Sequence, residues 1–175
     1  MEFRLAREDE LEPIKRFYDE LIDAMEDSEY GPRWKKDQYP DEEYIASSIK
    51  NGELYVASDE SGYAGAMVIN HQWNEGYDQV EWEIEGPREK ISAIHILGVS
   101  PHCHGKGIGG YLVEKAVEVS RSLGRRAIRL DVINGNLPAE KLYKKMGFSY
   151  RGTVNMFFEE TGWEDFMIYE MPLDS

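Results

Sequence analysis

The stretch His104-Gly105-Lys106-Gly107-Ile108-Gly109-Gly110 spaces glycines between an apolar run, ISAIHILGV (91–99), and an amphipathic one that begins at Ile108. Glycine tolerates positive φ and close backbone approach, so successive N–H groups can converge on an anion while a helix start adds partial positive charge. Phosphate or pyrophosphate is the natural guest. No Gly-Lys-Ser or Gly-Lys-Thr follows at the P-loop spacing, which removes mononucleotide hydrolysis. The glycines also fit GxGxxG, with Asp131 about twenty residues on, so a dinucleotide site competes. Against it stand the five residues from Ser100 to His104 between strand and first glycine, and only 65 residues after Gly110.

Other side chains could do chemistry. His95 lies in the apolar run and, by strict alternation, shares a face with Leu97 and Val99. Glu81, Glu83 and Glu85 alternate with Val80, Trp82 and Ile84, which predicts a strand with one greasy and one acidic face; its carboxylates are bases, amine anchors or a solvated surface. His102, Cys103 and His104 are adjacent, so only two can readily face one ion, and no carboxylate motif completes a tetrahedron; no metal is expected. Cys103 near a helix start has a route to an acyl-cysteine, but no base and orienter accompany it. By spacing alone Tyr143 shares an apolar stripe with Ala139, Leu142 and Met146, and Asn136 reads as a helix N-cap with Pro138 in the first turn.

The positioning elements follow from periodicity. Residues 2–6 predict a short strand; Leu11, Ile14, Phe17, Tyr18, Leu21 and Ile22 predict a helix to about Met25. Residues 27–40 are turn-rich and aromatic, and Tyr30, Trp34, Tyr39 and Tyr44 wall a pocket or pack the helices. Asp41 caps a second helix through Lys50. LYVASD (54–59) and GYAGAMVIN (62–70) predict a hairpin, and residues 91–99 a central strand. A helix from Ile108 to about Leu123, a strand at 126–132, a helix from Asn136 to Met146, and two β-like stretches at 148–158 and 165–173 complete the chain.

At 175 residues, with 41% hydrophobic and 31% charged residues, the composition is that of one globular domain, residues 1–175. No apolar run approaches membrane-spanning length and the acidic start is no signal peptide, so a soluble, cytoplasmic protein is expected. The single cysteine fits a reducing compartment. A net charge of −14 opposes nucleic acid and anionic membranes as partners. Residues 102–151 nevertheless hold ten Lys or Arg against four Asp or Glu, +6, while the remainder carries −20. A positive segment on an acidic protein suits a small anionic ligand, or is a solvated face.

Two segments together resemble the GCN5-related N-acetyltransferases: VSPHCHGKGIG (99–109) is similar to that family's pyrophosphate loop and NLPAEKLYKKMGF (136–148) to its second cofactor motif. The resemblance implies an α/β fold, a mixed, mostly antiparallel sheet flanked by helices, and acetyl-CoA as cosubstrate. It implies cofactor contacts from Leu97, Val99, His104, Gly105, Lys106, Gly107, Ile108, Gly109, Gly110 and Asn136. His104 departs from the family's Arg or Gln, which touches one side-chain contact and leaves the backbone site. Tyr143 matches the tyrosine that serves as general acid toward the departing thiolate. His95 resembles a strand histidine of arylalkylamine N-acetyltransferases, and a base is needed because amines are mostly protonated at neutral pH; Glu83 or a water is the rival. The acceptor expected is a small cationic amine, attacked directly in a ternary complex, with the enzyme a monomer or homodimer. A protein N-terminus or lysine is the alternative acceptor, and a non-catalytic acyl-CoA sensor the alternative function.

Overall fold

The computed structural model describes residues 1–29 and 31–173. Tyr30, one of the aromatics expected to wall a pocket or pack the helices, lies outside them. The elements are β1 (Glu2–Leu5), α1 (Leu11–Met25), α2 (Glu42–Lys50), β2 (Leu54–Asp59), β3 (Gly62–Asn70), β4 (Ile91–Val99), α3 (Ile108–Ser122), β5 (Ala127–Ile133), α4 (Leu137–Lys145), β6 (Ser149–Phe158) and β7 (Gly162–Pro172). They form one seven-stranded sheet of order β1-β2-β3-β4-β5-β7-β6. Every neighbouring pair is antiparallel except β4 and β5, which α3 connects as a crossover. A single parallel pair leaves no doubly wound sheet, which removes the dinucleotide fold.

The helix stripes read from spacing decide the layers. Ile14, Phe17, Tyr18 and Leu21 of α1 pack with Ile45 and Ile49 of α2 onto Val56, Val68 and Ile96 on one sheet face. Leu112, Val113 and Ala116 of α3 and Tyr143 of α4 cover Met67, Ile94, Ile128 and Leu130 on the other. Asp41 caps α2 by accepting the Tyr44 N–H at 2.8 Å.

The segment from Val80 to Glu85 is not a strand. Its side chains do alternate between half-buried and exposed, but no neighbouring strand takes its backbone. Arginines from distant elements do so instead. Arg151 donates to the Glu81 carbonyl, Arg129 to that of Ile84, Arg126 to that of Glu85 and Arg125 to that of Glu89. Arg129 also meets the Glu170 carboxylate at 3.4 Å and lies over the Trp82 ring at 3.9 Å. Residues 73–85 are thereby held as a strap over β5, β7 and β6, with Tyr77 buried beneath.

Two features of β4 shape the site. Ile96 has φ of 45°, and the β3–β4 register slips between Ala66 and Val68. This is a β-bulge, and a β-branched residue at positive φ is a strained one. The bulge resets the alternation: Ile94, Leu97 and Val99 face α3, whereas His95, opposite Val68, and Ile96 face α1 and the strap. His95 is therefore on the opposite face from Leu97 and Val99, not the same one. Second, the β4–β5 ladder ends at Ala93 and Arg129, although β4 runs on to Val99 and β5 to Ile133. The two strands part there, leaving facing edges at residues 94–99 and 130–133.

Candidate active site

The parting strands floor a cleft of about 510 Å³, within the range of small-molecule sites. Trp34 and Tyr39 from the α1–α2 segment close one side, Phe158 and Glu160 from the β6–β7 hairpin another, and Asn136 and Tyr143 from α4 a third. Of the residues singled out in the sequence, His95, Leu97, Val99, His104, Asn136 and Tyr143 line this cleft, and the glycine turn follows directly after His104.

Gly105 and Gly107 have φ of 78° and 74°, with open space where a Cβ would stand. Gly107 occupies the N-cap of α3 and no side chain caps that helix. The first-turn N–H groups at Ile108, Gly109 and Gly110 therefore have no side-chain acceptor, the arrangement an anion completes. Gly109 has a second reason to lack a side chain, because its Cβ would stand 3.0 Å from Leu142 Cδ2 of α4. Asn136 caps α4 by accepting the Ala139 N–H at 3.3 Å, and its amide nitrogen bonds to no described residue. An open-edged slot between strands that leads from an uncapped helix start fits an extended ligand with an anionic end.

Charge is distributed differently from the sequence expectation. Three arginines of the positive segment, Arg126, Arg129 and Arg151, hold the strap, and Arg125 holds the Glu89 carbonyl just beyond it. The acidic series is exposed, and none of Glu81, Glu83 and Glu85 lines the cleft. The Glu83 backbone N–H donates to Glu170 at 2.8 Å. Cys103 is half-buried, packed against the α3 core, and also off the cleft wall. Among the described residues no three His, Cys, Asp or Glu side chains gather as metal ligands.

Asp131, weighed in the sequence only as the acidic residue beyond a GxGxxG match, lines the cleft, as Glu160 does. It lies two residues beyond Arg129 on β5, as His95 lies two beyond Ala93 on β4, so the two flank the split at one level. Tyr77, fully buried, donates its hydroxyl to Asp131 at 2.6 Å. Burial raises the Asp131 carboxyl above the usual range, opposed by the Tyr77 hydrogen bond and by His95. Burial lowers His95, opposed by Asp131 and by the Gln72 carbonyl. Burial thus favours the neutral imidazole, the form that accepts a proton. Burial pushes the Tyr143 phenol well up, so it keeps its proton, and its hydroxyl bonds to no described residue. Burial also raises the Glu160 carboxyl.

An imidazole and a carboxylate flank the split, and the Tyr143 hydroxyl stands on the cleft wall. The chain belongs to the acetyltransferase (GNAT) family, whose model matches residues 14–148. It is 28% identical over 153 residues to a Bacillus subtilis protein named "Putative phosphinothricin acetyltransferase", covering 87% of this chain and 86% of that one. In fold it is similar to a GNAT-family acetyltransferase of Streptococcus agalactiae, with TM-score 0.83 and 21% identity over 99% of this chain and 96% of that one. It is also similar in fold to the Salmonella typhimurium protein yncA, whose structure holds its cofactor acetyl-CoA, with TM-score 0.72 and 16% identity over 100% of this chain and 95% of that one. The protein is an acetyltransferase with acetyl-CoA as cosubstrate, on the GNAT fold. Among the described residues no helix is long and apolar enough to cross a membrane.

Proposed function

We propose that this chain, as one catalytic domain over residues 1–175, acetylates a primary amine on a small cationic molecule by direct attack in a ternary complex. The observation that carries this reading is the pair formed by His95 and Asp131 on the two sides of the β4–β5 split. Acetyl-CoA supplies the activated acyl group and a thiolate leaving group. Leu97 and Val99 present backbone along the open edge of β4 to its pantetheine arm, and the glycine turn with the α3 N-terminus holds its phosphates. Asn136 offers its amide nitrogen to the same cofactor.

The roles on the acceptor side follow from charge. Asp131 attracts the incoming ammonium; neutral His95 takes its first proton, which frees the lone pair that attacks the acetyl carbon, and the second proton leaves the new amide nitrogen to solvent. Tyr143 donates its hydroxyl proton to the sulfur as the C–S bond breaks, and regains one from solvent. Glu160 among the aromatic walls of Trp34, Tyr39 and Phe158 favours a positively charged acceptor body. The B. subtilis relative's name points to a small-molecule amine as well.

CoA release measured over an acceptor panel tests this reading. Small cationic amines should turn over faster than anionic amines of the same size, and their Michaelis constants should rise with salt, because attraction beyond a Debye length of ~8 Å is screened. A protein N-terminus as sole acceptor would replace the small-amine reading. Binding of acetyl-CoA with no CoA release to any acceptor would make the protein a sensor.

A further inference from the structure

His95 carries out its proposed role through one particular nitrogen. Its Nε2 lies 2.9 Å from Asn70 Oδ1 and 2.8 Å from the Gln72 carbonyl oxygen. The Gln72 backbone N–H donates to that same Asn70 Oδ1 at 3.0 Å, which fixes the amide with oxygen toward the histidine. Both partners of Nε2 are therefore acceptors, and a nitrogen facing two acceptors must bring the hydrogen itself. The neutral ring then has its lone pair on Nδ1, which bonds to no described residue.

We propose that Asn70 is a positioning residue that locks His95 in the Nε2–H tautomer, so that Nδ1 is the atom that takes the acceptor's proton. This rests on the reading of His95 as the base. Asn70 acts at two points at once: its oxygen accepts from Nε2, and by binding the Gln72 N–H it holds the second acceptor, the Gln72 carbonyl, in place. It is suited to this by its position, the last residue of β3, opposite Ala93 and one step along the same face from Val68, the partner of His95. The proton balance is simple. Nδ1 gains the proton from nitrogen, giving an imidazolium whose Nε2–H remains on Asn70 and Gln72, and Asp131 across the split is the charged group that faces it.

The test is a long-range proton–nitrogen NMR correlation on protein labelled with 15N-histidine, with His95 assigned by its loss in His95→Gln. At a pH where His95 is neutral, wild type should show a pyrrole-type Nε2 and a pyridine-type Nδ1. The opposite pattern, or an even mixture, overturns the proposal. Asn70→Leu should shift the ring toward a mixture and lower kcat roughly tenfold, part of the ~10²–10⁴-fold that a positioned base contributes, with KM for acetyl-CoA unchanged. Asn70→Asp keeps an acceptor and adds a charge, so it should retain the Nε2–H pattern and move the acid limb of the rate profile to higher pH. If Asn70→Leu fails to fold, the wild-type and Asn70→Asp spectra decide alone. A wild-type rate and pH profile in Asn70→Leu, with His95→Gln slow, overturns the lock and leaves the base; a wild-type rate in His95→Gln overturns the base itself.

Discussion

His95 and Asp131 stand at one level on the two strands of a divided sheet, each two residues past the last paired positions, Ala93 and Arg129. Burial acts on them in opposite senses, pushing the imidazole down and the carboxyl up, and each partly restores the other. An imidazole and a carboxylate are thereby placed on either side of the split that floors the cleft.

The pair sets the pH dependence. With His95 as the proposed base, the rate should fall as pH drops through its pKa, and burial places that limb below the ordinary histidine value of ~6.5. Asp131 raises the His95 pKa, so Asp131→Asn should move the limb to still lower pH while raising KM for the amine. Glu83→Gln, which alters a carboxylate off the cleft wall, should change neither. A limb that moves upward in Asp131→Asn would show that the two do not face one another.

Tyr143 separates catalysis from packing. Its ring is in the α3 core and meets Phe148 edge-on at 5.5 Å, but its hydroxyl bonds to no described residue. Tyr143→Phe keeps the ring, so the melting temperature should hold, while turnover falls on the order of 10²-fold with little change in acetyl-CoA affinity. Unchanged turnover would assign Tyr143 to the core alone.

In the proposed reading the glycine turn holds acetyl-CoA through its backbone. Gly107→Val would put a β-branched residue at φ of 74° and fill the space above the turn, so acetyl-CoA should no longer raise the melting temperature. His104→Gln should retain the shift, which at ligand 100 times its dissociation constant corresponds to ~2.7 kcal/mol. The reverse order of severity would mean that the loop binds through side chains.

Away from the cleft, Glu10 makes a stability test. Hydrogen bonds from Arg4, at 2.8 Å to each oxygen, lower its pKa to about 2, helped by the Arg7 N–H and the Tyr63 hydroxyl. A depressed pKa contributes stability that is full above the unfolded value of 4.5 and lost as pH falls toward 2. Its size is roughly 3 kcal/mol at neutral pH. Denaturant titrations of wild type and Glu10→Gln should therefore converge as the pH drops from 5 to 2 (~1.4 kcal/mol per pKa unit). A constant difference across that window would contradict the carboxylate's role.

Local rules carried most of the chain. The bounds of β2, β3 and β4, the Asp41 and Asn136 caps and the uncapped start of α3 follow from alternation, capping chemistry and glycine placement. Three features had no local signal. The alternation at Val80 to Ile84 is real, but the groups that satisfy its backbone are arginines 45 to 70 residues away in sequence. The bulge at Ile96 runs against β-branched preference, so strict alternation put His95 on the wrong face. Tyr77 and Asp131 are 54 residues apart, and only the strap brings them together.

The central claim, that transfer takes place between the two sides of the β4–β5 split, is tested most directly by kcat/KM for the best amine in His95→Gln and Asp131→Asn, with acetyl-CoA melting shifts measured on the same samples. Each variant should lose on the order of 10²-fold in kcat/KM while keeping the full acetyl-CoA shift. Wild-type rates in both variants, with the shift intact, would place the chemistry elsewhere and contradict the account.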